Sequence, residues 1–350
     1  MKHRTGSNER YLCEVEVTTG LESVSQDEIT ERFGKAVVLL PHERAGEIQF
    51  HFTGSLGQLR SLQTVYAAYV VYEFDIPRPR ALLGDAHFRR LLAQIELVQD
   101  LSSGYGSFSV AAAGSDSSVM RRIKEEIAAH TGLLLAEEKG DLFIRIRPYR
   151  SVWQTLIRLS PRPLVTRAWR VCNLEGALNA ATAHAMIRLG QPKTTDVFLN
   201  IGCGSGTLLI ERASYGAAAR IIGVDHDPNA LNCTRTNIAA ANETHIEFLH
   251  ADMTRLPLSD AVVNCAAADL PFGQLMGDHE TNMNLYPRVL NEMARVMAPG
   301  GRFVVITHEM RLMDRLLRKN DLWTSEQAIQ VNLRGLHPKI YVLRRTTSRV

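Results

Sequence analysis

The chain is poor in cysteine: its five, at positions 13, 172, 203, 233 and 265 of 350, are scattered and form no C-x-x-C pair. That spacing indicates neither a disulfide framework nor a zinc site, and it fits a reducing compartment. The twelve histidines form no H-E-x-x-H, and His308-Glu309 lacks a second histidine at ligand spacing, so no metal centre is expected. No apolar run reaches the roughly 18 residues that cross a bilayer. The start, Met-Lys-His-Arg-Thr-Gly-Ser-Asn, is too polar for a signal peptide. A cytoplasmic protein without membrane contact is the expectation. A strong charge of one sign is missing as well. The formal net charge is +3, too mild by itself to indicate nucleic acid. There is no internal repeat or low-complexity tract, and Pro77-Arg-Pro-Arg80 reads as an exposed turn.

What is present centres on Asp196 to Glu211, DVFLNIGCGSGTLLIE. An apolar strand runs into Gly202-Cys203-Gly204-Ser205-Gly206 and then directly into a helix, which brings bare backbone up to a nucleotide-like ligand. Ordinary tight turns also use glycines, so the residues downstream decide. Arg220 to Asp225 is a second apolar strand, and its terminal carboxylate stands about 20 residues beyond the loop, where an open α/β sheet places the acid for a ribose diol. A dinucleotide fingerprint would need a small residue at 207 or 209, where Thr207 and Leu209 stand, and a P-loop would need a lysine. S-adenosylmethionine, with an adenosine but no phosphate, is the ligand that remains.

Further strands extend the series. His245 to Asp252 ends in an acid placed to reach an adenine amino group, Asn264 to Asp269 breaks at Pro271, and Arg302 to Thr307 follows Pro299-Gly300-Gly301. Pro228 to Ala241 and Leu285 to Met297 carry helix-period apolar residues and open at a proline or just before one. Alternation of strand and helix predicts a parallel sheet covered on both faces. Gln327 to Leu333 and Lys339 to Arg345 have no helix between them and so should pair antiparallel.

Residues 171–350 resemble a class I S-adenosylmethionine methyltransferase, and Asp269-Leu270-Pro271-Phe272 resembles the [DNS]-x-P-[YFW] motif of enzymes that methylate exocyclic amines. Chemistry supports the motif independently. The lone pair of guanine N2 or adenine N6 is delocalised into the ring, so the amine must be held in line with the methyl donor and its hydrogens accepted. Asp269 offers a carboxylate, Leu270 a carbonyl next to Pro271, and Phe272 a stacking face. A strand-ending turn with a core phenylalanine is the plain alternative. The expected cofactor set is Asn200, Gly202, Cys203, Gly204, Gly206, Thr207, Asp225 with its neighbour His226, Asp252 with its neighbour Met253, and Asp269. Asn200 replaces the aspartate usual in the resemblance, which leaves an acceptor without a charge. Cys203 has no base nearby and reads as a small packing residue.

A length of 350 residues suits two domains, placed at 1–170 and 171–350. Leu142 to Arg170 carries Arg145, Arg147, Arg150, Arg158, Arg162, Arg167 and Arg170 with no acid between them. Phe143 to Arg147 alternates as a strand does, so Arg145 and Arg147 should share a face suited to phosphate, with Tyr149, Trp153 and Trp169 interleaved. The first half reads α+β. Strands are expected over Tyr11 to Thr18, Glu47 to Phe52, Ser107 to Ala113 and Asp141 to Arg147, the last closing the domain. Helices are expected over Leu21 to Phe33, Leu56 to Ala68 and Ser117 to Thr131, the last with Arg121, Arg122 and Lys124 near its start.

That order resembles a ferredoxin-like segment followed by a THUMP RNA-binding domain, fused to a Rossmann-like methyltransferase domain. The whole chain is similar to the THUMP-containing tRNA guanine-N2 methyltransferases of the TrmN type. The resemblance implies an S-adenosylmethionine-dependent enzyme, acting as a monomer on guanine N2 of the sixth nucleotide in the tRNA acceptor stem. It also implies RNA contacts from Arg121, Arg122, Lys124, Arg145, Arg147 and Arg150, a helix within Trp169 to Leu189, and a cofactor border near Asn173 to Asn179. Two alternatives stay open: guanine N2 of ribosomal RNA or of another tRNA position, and a non-catalytic RNA-binding protein whose site has drifted.

Overall fold

The computed structural model describes residues 9–41, 43–271 and 279–347. It divides into two compact units, one of the residues up to Val17 with Ser25–Val165, the other of Thr18–Val24 with Thr166 onward.

The first unit is built from β1 (Arg10–Val17), α1 (Glu22–Phe33, whose first turn belongs to the other unit), β2 (Val37–Leu39), β3 (Glu47–Thr53), β4 (Val65–Phe74), α2 (Asp85–Gln99), β5 (Ser107–Ala112), α3 (Ser118–Thr131), β6 (Leu134–Leu135), β7 (Leu142–Tyr149) and β8 (Val152–Arg158). One mixed sheet joins all eight strands in the order β2-β3-β1-β4-β8-β7-β5-β6. Helices α2 and α3 bury Phe88, Leu91, Ile95 and Val98, and Met120, Ile123 and Ile127. Spacings of three and four put each set on one face of its helix. Ser117 caps α3 by accepting from the Met120 amide.

Two expectations fail in this unit. Leu56 to Ala68 is not a helix: one 3-10 stretch, Leu56–Ser61, precedes β4. The run VYAAYVVYEF is β-branched and aromatic, and it gains two cross-strand partners, β1 and β8. Nor does β7 close the unit, because Arg150 turns the chain at φ 51° into β8, which pairs antiparallel with it.

The second unit contains α4 (Ala180–Leu189), β9 (Val197–Ile201), α5 (Thr207–Tyr215), β10 (Arg220–Asp225), α6 (Pro228–Ala240), β11 (Ile246–His250), β12 (Val263–Asp269), α7 (His279–Val296), β13 (Met297–Thr307), α8 (Met310–Arg318), β14 (Trp323–Gln330) and β15 (Lys339–Arg345). Its sheet runs β11-β10-β9-β12-β13-β15-β14, parallel from β11 to β13 and antiparallel where β15 meets β13 and β14. This is the Rossmann-like sheet with an antiparallel ending that the sequence predicts. Neighbouring strand residues bury on opposite faces. Phe198, Ile221, Ala267 and Val304 join one cluster, while Leu199, Ile222, Ala266 and Val305 join another. Helices α4, α5 and α6 cover the first face, and α7 and α8 the second, through residues such as Leu209, Leu231, Val289 and Met313. Helix α7 begins at His279, and Pro287 lies inside it rather than at its start. Only the second half of Trp169 to Leu189 is helical, from the Asn179 cap onward.

Candidate cofactor and target-base site

Strand order reverses between β9 and β12, and an open α/β sheet holds its ligand at such a crevice, beyond the carboxyl ends of the strands. The glycine loop leaves β9 there, and Asp269 ends β12 beside it. Gly202, Gly204 and Gly206 all take positive φ, at 60°, 55° and 79°. A side chain at Gly204 would meet open space, and one at Gly202 would meet only the Met253 methyl. The loop thus presents backbone to a cradle, as the sequence predicts, and its left-handed turns favour glycine.

Side chains behind the loop fix its shape. Asp225 is buried, and its two oxygens accept from the Gly204 amide at 2.8 Å and the Asp227 amide at 3.0 Å. Thr234 of α6 donates to the Gly204 carbonyl at 2.7 Å. Asn237 of α6 donates to the Ser205 carbonyl at 2.9 Å and the Cys172 carbonyl at 2.8 Å, while its oxygen accepts from the Val171 and Cys172 amides. Thr207 accepts from Arg170 at 2.7 Å. Cys203 is buried, 3.8 Å from the Thr234 hydroxyl, and burial pushes its thiol up to about 12, which fits a packing role. Asn200 is fully buried; its amide donates to the Ala267 carbonyl at 3.0 Å, and its oxygen has no partner among the described residues. Such an orphan acceptor requires a donor from a ligand or water.

Among the remaining expected cofactor residues, His226 is exposed beside Asp225. Asp252 lies at the surface and accepts from the Thr254 amide, a bond that holds its carboxyl below the usual range. Met253 is half-buried against the second core face.

Asp269 pairs in register with Ile306 of β13, and burial pushes its carboxyl up to about 7. The Leu270 side chain is buried and its amide donates to the Ile306 carbonyl. Sequence reasoning missed the support behind this turn. Tyr286 of α7, fully buried, donates to the Pro271 carbonyl at 2.9 Å and lies 2.6 Å from the Thr307 hydroxyl. No motif marks Tyr286, because α7 was legible only as an amphipathic helix. Phe272 lies outside the described residues.

The arginines divide differently from the expectation. Arg147 is buried, 2.5 Å from Glu14 and 2.8 Å from Glu47, and Arg145 is 2.6 Å from Glu16. They do share a side of β7, but acids of β1 and β3 pair with both and neutralise that side. Arg150 is exposed and paired with Glu43, while Arg158 is buried and donates to the Ser160 and Pro161 carbonyls. Arg167 pairs with Glu211, itself bonded to His184. Arg121 and Arg122 are exposed on α3, and Lys124 donates to Ser115. A second correction concerns cysteine: Cys172 and Cys233 form a disulfide, their Cα atoms 5.5 Å apart. Separation by 61 residues hides the pair in a sequence, and an inference to a reducing compartment from cysteine spacing loses its basis.

Comparison with known proteins agrees with the geometry. The family model "RMKL-like, methyltransferase domain" matches residues 167–339. The tRNA (guanine(6)-N(2))-methyltransferase THUMP3 of Mus musculus is 34% identical over 183 residues, 48% of this chain and 36% of that protein. The chain thus spans about a third of the mammalian relative it matches. The tRNA (guanine(6)-N2)-methyltransferase of Thermus thermophilus is 28% identical over 247 residues, 69% of this chain and 73% of that protein. The crystal structure of TrmN from Thermus thermophilus superposes with a TM-score of 0.81 at 22% identity, covering 96% of this chain and all of that one, which shows a shared fold. Residues 167–339, just under half of the chain, are thus similar to RMKL-like methyltransferase domains.

Proposed function

We propose that the chain is an S-adenosylmethionine-dependent methyltransferase acting on guanine N2 of tRNA, at the sixth nucleotide of the acceptor stem. The observation that carries the reading is the juxtaposition at the strand-order reversal of a three-glycine cradle, the Asp225 carboxylate and the Asp269-Leu270-Pro271 turn. The target position follows the names of the Mus musculus and Thermus thermophilus relatives.

The residues present fit the cofactor. Asn200 would accept from its ammonium with the oxygen that otherwise lacks a partner, the Gly202–Gly206 backbone would line its methionine portion, and Asp225 would hold its ribose hydroxyls. Asp252 would reach the adenine amine. When bound, S-adenosylmethionine supplies an electrophilic methyl on a sulfonium. The chain's own part is to orient the amine by accepting its hydrogen bonds and to take the one proton that the amine loses, at the Asp269 carboxylate. Asp269 and the Leu270 carbonyl accept from the guanine amine, which directs the nitrogen lone pair toward the cradle. Phe272 would stack on a base taken out of the stem, a contact worth about 1–3 kcal/mol.

The first unit serves, in this reading, as a ferredoxin-like segment plus THUMP domain over residues 1–170, with the methyltransferase domain at 171–350. The exposed Arg121 and Arg122 are its candidate phosphate contacts. The protein would work on tRNA in the cytoplasm as a monomer. Mass mapping of tRNA from cells with and without the gene tests the proposal: N2-methylguanosine should vanish from the sixth position. Its persistence there, with a loss elsewhere, would move the assignment to a sister activity.

A further inference from the structure

The Cys172–Cys233 disulfide lies against the glycine loop and is used by no step of the proposed reaction. Residues 170–172 form a strap beside the loop. Arg170 reaches the Thr207 hydroxyl at one end, and Asn237 bonds the backbone of residues 171 and 172 and the Ser205 carbonyl at once. Cys233 is on α6, next to Thr234, which grips Gly204, and one turn before Asn237. The covalent bond therefore ties the strap to the same helix face that shapes the cradle.

We propose that this pair is a thiol–disulfide exchange site whose oxidised form clasps the strap onto the cofactor loop and raises affinity for the cofactor. The inference rests on the reading of Gly202–Gly206 as the cofactor loop. Access favours one direction of attack, because Cys172 is half-buried next to Val171, which is 64% exposed, whereas Cys233 is buried. A dithiol reductant attacks the Cys172 sulfur, a mixed disulfide forms there, and Cys233 leaves as a thiolate and takes up a proton. The second thiol of the reductant then displaces Cys172, so two electrons and two protons pass to the protein and the reductant becomes a disulfide. After reduction the backbone bonds from Asn237 remain, so the strap loosens without being released.

The experiment titrates the full chain with S-adenosylhomocysteine by calorimetry, before and after treatment with dithiothreitol, and counts reactive thiols in denaturant. Three thiols should react in the oxidised protein and five after reduction, the difference being the pair Cys172–Cys233. Reduction should weaken binding about fivefold, the equivalent of ordering one further side chain on binding. Cys172→Ser should bind as the reduced form does with or without reductant, Cys233→Ser likewise, and Cys265→Ser should keep the response. Five reactive thiols without reductant, or equal affinity in both redox forms, would overturn the proposal alone. Absence of binding in both forms would overturn it together with the cofactor reading.

Discussion

Asp269 ends a buried strand with its carboxyl pushed up to about 7, so its charge changes near neutral pH. The acceptor form is the carboxylate, which is lost as pH falls through that value. We predict that kcat/KM of the free enzyme rises with pH through about 7 and then levels. A profile flat from pH 6 to 8 would contradict the role of Asp269. In its proposed role the carboxylate acts on the reacting amine and adds little to the grip on a long RNA, so Asp269→Ala should abolish turnover while tRNA binding stays within about twofold, as expected for a group used mainly in the transition state. Filter binding and turnover measured on one preparation separate the two effects. Arg147 makes the opposite case. Removing it leaves Glu14 buried without its cation, so Arg147→Ala should lower stability by about 3–5 kcal/mol in urea unfolding. A loss of tRNA affinity with unchanged stability would contradict this. The places of Asp225 and Asp269 were legible because each acid ends an apolar run, at the carboxyl end of β10 or β12. The burial of Arg147 was not, since its partners Glu14 and Glu47 lie about a hundred positions or more away.

The elements of the second unit were legible for a physical reason. A parallel sheet covered on both faces writes itself as apolar runs, and the glycines and acids stand at the carboxyl ends of those runs. The first unit obscured β4 because an amphipathic spacing around Leu56, Leu59 and Leu62 precedes a strand whose pairing is long-range. Helix α7 likewise extends six residues before the expected start, and Pro287 is accommodated within it. At this scale the junction of the loop with α5 is the sensitive point. Gly206 caps α5 at φ 79°, and a Cβ there would come within 3.2 Å of the Thr234 side chain that holds Gly204. Gly206→Ala should cost about 1–3 kcal/mol through backbone strain and weaken S-adenosylhomocysteine binding. Melting temperature and calorimetry together check it, and unchanged values in both would contradict the geometry. Tyr286→Phe keeps the buried ring but loses the bond to the Pro271 carbonyl, so it should lower kcat with cofactor affinity unaltered. A change confined to cofactor affinity would instead place Tyr286 behind the cradle.

For the whole molecule, the proposed function puts chemistry in the second unit and RNA grip in the first. With Arg145 and Arg147 neutralised by acids, the exposed Arg121 and Arg122 of α3 are the leading candidates for phosphate contact under the proposed function. Replacing both with alanine should weaken tRNA binding and flatten the slope of log K against log salt by about 2. An unchanged slope would send the search to other surfaces. The division into two units could be anticipated from length and from the start of the methyltransferase pattern. The exchange of Thr18–Val24 into the second unit could not, because it depends on a pairing of Thr19 with Asn332. The central claim is transfer of a methyl group to guanine N2. It is tested most directly by incubating the purified chain with S-adenosylmethionine labelled in the methyl group and unmodified tRNA, then digesting to nucleosides. The account predicts label in N2-methylguanosine from the sixth position of the acceptor stem, and label in any other nucleoside, or in none, would contradict it.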